Sequence, residues 1–208
     1  MTTENMAALL LGLGSATLGE TGGRPMHPRI KAAWPGATMA APAYAVTLGS
    51  GDNLAIHAAV VEAPTGSVLV VDGTRPPELG YWGEVLTTAA ESRGLVGLVI
   101  DGGVRDVAAL EAHGFPVFSA LVALQGAVKV AGGEIGGTAR VGGVDVSTGD
   151  WIVADRDGVT VVPSPVLDAV LEAGQQRADK EAAMFVKLRE GSTTVELLGL
   201  DTSPVARP

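Results

Sequence analysis

The chain has no cysteine. Disulfides, thiolate metal sites and a cysteine nucleophile are thereby excluded, and the absence suits a reducing, cytoplasmic setting. Aromatic residues make up only 4%, so the core is expected to consist of small aliphatic side chains with closely packed backbones. Basic residues are also few, 14 against 23 acidic ones, for a net charge of −9. No Lys/Arg cluster interrupts that deficit, which argues against nucleic acid as a partner. No apolar run approaches the roughly 20 residues needed to span a membrane. The opening "MTTENMAALLLGLGSATLGE" carries Glu4 where a secretory leader has basic residues, so neither a leader nor a membrane partner is expected.

What is present is a chain of 208 residues, 47% apolar and 18% charged, with 29 glycines. That supports a substantial core in a single domain over 1–208. "MAALLLGLG" (6–14) reads as a short helix closed by its glycines, and "TGGRPMHPR" (21–29) as a loop. "GATMAAPAYAVTL" (36–48), "SVLVVDG" (67–73), "LVGLVIDGG" (95–103) and "PVFSA" read as strands. "NLAIHAAVVEA" (53–63), "GEVLTTAAESRG" (83–94) and "DVAALEAHG" (106–114) read as helices. From residue 127 short strands cut by GG, TGD and DRDG give a hairpin-and-meander composition. A long amphipathic helix follows, capped by Ser164, with Pro165 in its first turn and Gly191 at its end, and "TTVELLGLD" trails off as a tail. Alternating strands and helices predict an α/β domain whose sheets are covered by helices.

Several familiar sites are missing. "GLGSATLG" (12–19) matches neither G-x-G-x-x-G nor the lysine-bearing phosphate loop, which disfavours a dehydrogenase or a methyltransferase. No G-x-S-x-G elbow occurs. His27, His57 and His113 show no i,i+3 or i,i+4 pairing, so the helix-borne zinc motif is absent. His57 and His113 read as packing or capping residues.

One cluster carries chemistry. Glu84 follows the strand "VVDG", and Arg105 and Asp106 follow "VIDGG". Taken singly, Asp106 is a helix N-cap, Glu84 a dipole-favoured acid and Arg105 a loop residue. Taken together, they lie in loops beyond the C-terminal ends of strands, where α/β sheets form their ligand crevice. Two carboxylates there suit a hard cation such as Mg²⁺. A helix starting at Gly83 offers free backbone N–H groups to an anion, and Arg105 adds a planar cationic fork. The combination describes a site for a small anionic oxo-acid.

The acid, twenty intervening residues, then Arg105-Asp106 resembles the signature of the class II 4-hydroxy-4-methyl-2-oxoglutarate aldolases, a family that includes relatives of the regulator of ribonuclease activity A. The likeness runs from "GSATLGE" through "VLVVDG" and "GEVL" to "GDWIVADRDGVTVVP" and "RADKEAAMFVKLREG". It implies a layered α-β-β-α sandwich like the swivelling, phosphohistidine-type domain. It implies a homotrimer or hexamer with sites between subunits, the C-terminal helix and tail (about 164–208) packing on a neighbour. It also implies a divalent metal, Mg²⁺ or Mn²⁺. In that family's pattern Asp106 is the direct metal ligand. Arg105 binds substrate and steadies the enolate oxygen. Glu84 holds a metal-bound water, and the backbone of Gly83, Glu84, Val85 and Leu86 cradles the substrate carboxylate. Glu181, in "DKEAA", matches the place from which a neighbouring subunit sends an acid to the metal's waters. Tyr81 and Trp82 depart from the pattern by their bulk, which is expected to reshape the pocket.

The activity so implied is cleavage of 4-hydroxy-2-oxo acids to pyruvate through a metal-stabilised enolate, with oxaloacetate decarboxylation as a side reaction. With no histidine in the motif, a metal-bound water held by Glu84 is the expected base. The rivals are a binding protein that regulates a ribonuclease and a specialised-pathway enzyme using the same enolate site.

Overall fold

A computed structural model of the chain describes residues 2–73 and 77–206. In chain order the first elements are α1 (Thr3–Glu20), β1 (Arg24–Pro25), β2 (Lys31–Ala32), β3 (Met39–Leu48), α2 (Leu54–Glu62) and β4 (Val68–Asp72). Next come β5 (Gly80–Trp82), α3 (Glu84–Ser92), β6 (Gly97–Val104), α4 (Val107–His113) and β7 (Val117–Val122). The β-rich portion supplies β8 (Gly133–Ile135), β9 (Thr138–Val141), β10 (Val144–Ser147), β11 (Trp151–Ala154) and β12 (Val159–Val162). A 3₁₀ turn (Ser164–Val166) leads into α5 (Leu167–Arg189), and α6 (Thr194–Leu198) follows.

Ten strands form one sheet in the order β1-β12-β11-β3-β4-β6-β7-β2, with β5 on β6 and β8 on β3. β3, β4, β6 and β7 are parallel neighbours, and β11 and β12 extend the sheet antiparallel. β3 belongs to both regions. It pairs with β11 through Met39–Pro42 and with β4 from Ala43 onward. Pro42, which lacks an N–H, stands where the strand changes partner, so the proline that interrupts the sequence pattern does not end the strand. β9 and β10 make a separate hairpin.

Three apolar clusters layer the molecule. α2, α3 and α4 cover one sheet face through Ile56, Val60, Leu86 and Leu110. The other face is closed by the sheet's own curl: Val70, Val99 and Phe118 share a core with Ile152, Val161 and the hairpin's Val141 and Val146. Outside β11 and β12, α1 and α5 pack through Leu10, Leu18 and Val170. The fold is thus a mixed α/β one, a curled sheet with helices packed on it. Among the described residues no helix is long and apolar enough to cross a membrane.

The first helical run ends at Gly14, as its glycines led one to expect: Gly14 at φ 80°, ψ 159° breaks α1, and a second run starts at Ser15, where Asp155 accepts from Ser15 N at 2.7 Å and Ser15 Oγ at 2.6 Å. Two local expectations are corrected. Ser164 does not cap α5; it opens the 3₁₀ turn, and its N–H goes to Asp150 at 3.0 Å. The tail forms α6, opened by a Thr193–Glu196 capping box and closed by Gly199 in the left-handed conformation.

Candidate active site

Strand β6 delivers the Arg-Asp pair. All eight of its residues are buried, so its C-terminal end is fixed in depth before the chain emerges. Arg105 N then donates to Trp82 O at 2.8 Å, and Ala123 N donates to Val104 O at 2.9 Å, tying the exit to β5 and β7. The Arg105 and Asp106 side chains are 43% and 42% exposed, at a cavity mouth.

Asp106 is the one non-glycine among the described residues with positive φ, at φ 57°, ψ 35°. Aspartate tolerates this left-handed conformation better than most residues, but such positions concentrate at functional sites. The N-cap reading is corrected here: Asp106 precedes α4 but makes no side-chain cap bond to it. Its Oδ2 instead accepts from Glu84 N, at the start of α3, at 3.1 Å, and lies 3.7 Å from Arg105 Nε. Oδ1 takes no donor from the described residues. The close approach demands a glycine at 83. A Cβ there would stand 2.3 Å from Asp106 Oδ2 and 3.1 Å from Arg105 Cγ. The first turn of α3 therefore keeps the Val85 and Leu86 N–H groups without intrahelical acceptors, while the Glu84 N–H is already taken by Asp106.

The cavity holds about 240 Å³, lined by Gly83, Val85, Leu86, Arg105 and Asp106 on one side and by Asn53, His57 and Lys129 on the other. The second wall was not singled out in the sequence. It exists because the segment around 128 is sewn onto the start of α2. Asn53 N donates to Val128 O at 3.0 Å, and Val128 N to Gly51 O at 3.0 Å. Asp52, fully buried, accepts from Ala131 N at 2.7 Å, from Leu54 N at 2.6 Å and also from Val130 N. Burial alone would raise its pKa. The Ala131, Leu54 and Val130 N–H donors, with Lys129 nearby, hold it below the ordinary carboxylate range instead. His57 is pushed below the ordinary histidine range, first by desolvation and then by Lys129, against an opposing pull from Asp52. It is therefore neutral near pH 7.

The other predicted residues fall as follows. The Glu84 carboxylate lies 3.8 Å from His113 Nε2, and His113 Nδ1 is 2.8 Å from Glu91; Glu84 is not among the residues that line the cavity. Glu181 lies on α5, paired with Arg177 at 2.9 Å, and does not line the cavity of its own chain. Tyr81 and Trp82 are each 1% exposed. Trp82 stacks on Phe115 at 6.0 Å and donates to Thr87 at 2.7 Å. Both are packed into the core and also line the cavity beside Gly83.

A divalent cation fits this donor set in a restricted way. No group of three or more His, Cys, Asp or Glu converges among the described residues, so no cage exists. Asp106 offers one hard oxygen free of protein donors, beside an arginine and unsatisfied helix N–H groups. That is the pattern for a Mg²⁺-like ion that keeps several waters and takes its remaining ligands from the substrate.

Residues 13–161 match the family model described as "RraA-like: Aldolase/RraA". A protein of Halalkalibacterium halodurans, provisionally named a 4-hydroxy-4-methyl-2-oxoglutarate aldolase, is 38% identical over 142 residues, 68% of either chain. A similarly named protein of Alkalilimnicola ehrlichii is 34% identical over 118 residues, 57% of this chain and 73% of that one. Among solved structures, the RNA-processing inhibitor RraA from Thermus thermophilis superposes with a TM-score of 0.65 at 25% identity, covering 72% of this chain and 92% of that one. An unusual member of the RNase ES inhibitor RraA family from Streptomyces coelicolor gives 0.75 at 24% identity, covering 86% and 95%; that likeness bears on the fold alone.

Proposed function

Because the chain belongs to the RraA-like aldolase family, we propose that it is a divalent-metal-dependent lyase. In this reading it cleaves 4-hydroxy-2-oxo acids, such as 4-hydroxy-4-methyl-2-oxoglutarate, to pyruvate, and decarboxylates oxaloacetate at the same site. The observation that carries the reading is Asp106. It is held in a left-handed conformation with its carboxylate on the first turn of α3, beside Arg105, at the mouth of the cavity. In a protein of net charge −9, two cations, Arg105 and Lys129, face that cavity, which suits an anionic ligand.

The roles follow from the chemistry. Asp106 would hold the cation, Mg²⁺ or Mn²⁺, which when bound polarises the ketone oxygen of the substrate. Arg105 presents its fork to the oxygen on which charge grows as the C–C bond breaks. The free N–H groups of Val85 and Leu86 receive the substrate carboxylate. Both reactions pass through the pyruvate enolate, so a site complementary to that species accelerates both. Glu181 is assigned to the site of a neighbouring subunit in a trimer or hexamer. The test is a panel of 4-hydroxy-2-oxo acids and oxaloacetate with Mg²⁺ or Mn²⁺, read as pyruvate formed above the metal-only background. No pyruvate from a folded, metal-supplied protein would sink the reading and favour a regulatory binding role.

A further inference from the structure

Two polar atoms in the cavity's second wall are buried without a hydrogen-bond partner among the described residues: Asn53 Oδ1 and His57 Nε2. Asn53 is 5% exposed, and its orientation is fixed, because its Nδ2 donates to Tyr81 O at 2.8 Å. The oxygen can therefore only accept. His57 stands four residues on, in the first turn of α2, with its N–H donating to Asn53 O at 3.3 Å, and both residues line the cavity opposite Arg105 and Asp106. Folded proteins rarely leave buried acceptors unsatisfied. An orphaned amide oxygen and a ring nitrogen that accepts when the ring proton is on Nδ1 call for a ligand that brings a donor.

We propose that this pair recognises the 4-hydroxyl of the substrate and that His57 is the base that removes its proton in aldol cleavage. The inference rests on the lyase reading above and replaces the water-and-Glu84 base expected from the sequence. The Glu84 carboxylate faces His113, whereas His57 lines the cavity. A base must be unprotonated at working pH. Desolvation and the neighbouring Lys129 favour the neutral imidazole, against Asp52, and these are the charged groups facing His57, with Arg105 and Asp106 across the cavity. With the ring proton on Nδ1, Nε2 offers its lone pair.

The step balances without an oxidant or reductant. The hydroxyl proton passes to His57 Nε2, and the C3–C4 bond breaks. Its electron pair enters the pyruvate enolate, and the hydroxyl carbon becomes a carbonyl. The imidazolium then returns the proton to C3, giving pyruvate and restoring the neutral ring. Oxaloacetate has no 4-hydroxyl, so its decarboxylation has no use for this base.

The test compares wild type with His57→Gln on both substrates, with the same metal. Aldol cleavage should fall by about 10²-fold or more, the ordinary range for a general base, and decarboxylation far less. In wild type the acidic limb of the kcat/KM profile for cleavage should lie below the ordinary histidine range, and it should vanish in His57→Gln. Independently of turnover, the His57 ring proton signals in NMR should shift when malate, a hydroxy acid that cannot be cleaved, is added, and Asn53→Asp should weaken that response. Equal loss of both reactions, unchanged cleavage, or a malate response that does not involve His57 would overturn this inference while leaving the lyase reading intact. A wild-type protein that performs neither reaction overturns the lyase reading and this one with it.

Discussion

Replacing Gly83 by alanine should disable the site while leaving the fold almost untouched. Gly83 has φ −166°, extended backbone open to any residue, so the substitution strains nothing by conformation. Its effect is steric and local. The new Cβ would meet Asp106 Oδ2 at 2.3 Å, and ordinary contact begins near 3.4 Å, so the carboxylate must retreat by roughly 1 Å. A displacement of that size in a catalytic group can cost on the order of 10² in rate. The bond from Glu84 N to Asp106 is lost with it. The carboxylate is 42% exposed, so that loss should cost only about 1 kcal/mol, discounted from the range for charged partners. The reduced chain entropy of alanine offsets about half of this or more, and Tm should move by no more than roughly 3 °C. Gly12 is the control: a Cβ there meets nothing within 4 Å, and Gly12→Ala should keep full activity with neutral or slightly raised stability. Pyruvate release and thermal unfolding are measured on the same preparations. A Gly83→Ala protein that turns over at the wild-type rate would refute the argument that Asp106 must sit on the first turn of α3. So would one that loses activity only because it unfolds.

Three further outcomes are expected. Asp106→Asn keeps the side-chain shape and the tolerance for left-handed backbone but removes the charge; Mn²⁺ binding followed by calorimetry should be lost, with turnover, while the circular dichroism spectrum is unchanged. Arg105→Lys should lose nearly as much rate as Arg105→Ala, about 10²–10³-fold, because the ammonium lacks the planar two-donor fork; near-normal kinetics in the lysine variant would reduce Arg105 to a general positive charge. Asp52→Asn should lower stability by about 2 kcal/mol, since an amide cannot accept all the N–H groups now aimed at Asp52. Its folded-state pKa is depressed, so its contribution is present above the ordinary carboxylate range and disappears as pH falls through the folded-state value. The gap between wild type and variant, read by denaturant titration, should therefore close in acid and be largest at neutral pH.

The parallel strands and their helices were legible because each carries its own signal. β4 and β6 open on apolar runs, VLVV and GLVI, and α2, α3 and α4 begin and end at turn residues. Arg105 and Asp106 were legible for the same reason, at the end of β6, whereas Glu84 follows β5 and was found through its spacing from them. The second wall was not. Asn53 and His57 stand some seventy residues before Lys129, and only the pairing of residues 51–53 with 128–131 brings them together. No local pattern announces that pairing. Asp52, a buried acid directly before a helix, was the available clue. The left-handed Asp106 was hidden behind the commoner N-cap role of aspartate, and β5, three residues long, is too short for any period. The capping box of α6 could have been read from Thr193 and Glu196, which have the required spacing.

The most direct test of the account is metal-dependent pyruvate release from 4-hydroxy-4-methyl-2-oxoglutarate by wild type and Asp106→Asn, assayed after chelation and again after Mg²⁺ or Mn²⁺ is restored. The account predicts that wild type loses activity on chelation and regains it with the metal, and that Asp106→Asn stays inactive throughout. Pyruvate release that survives chelation, or that Asp106→Asn matches at saturating metal, would contradict it.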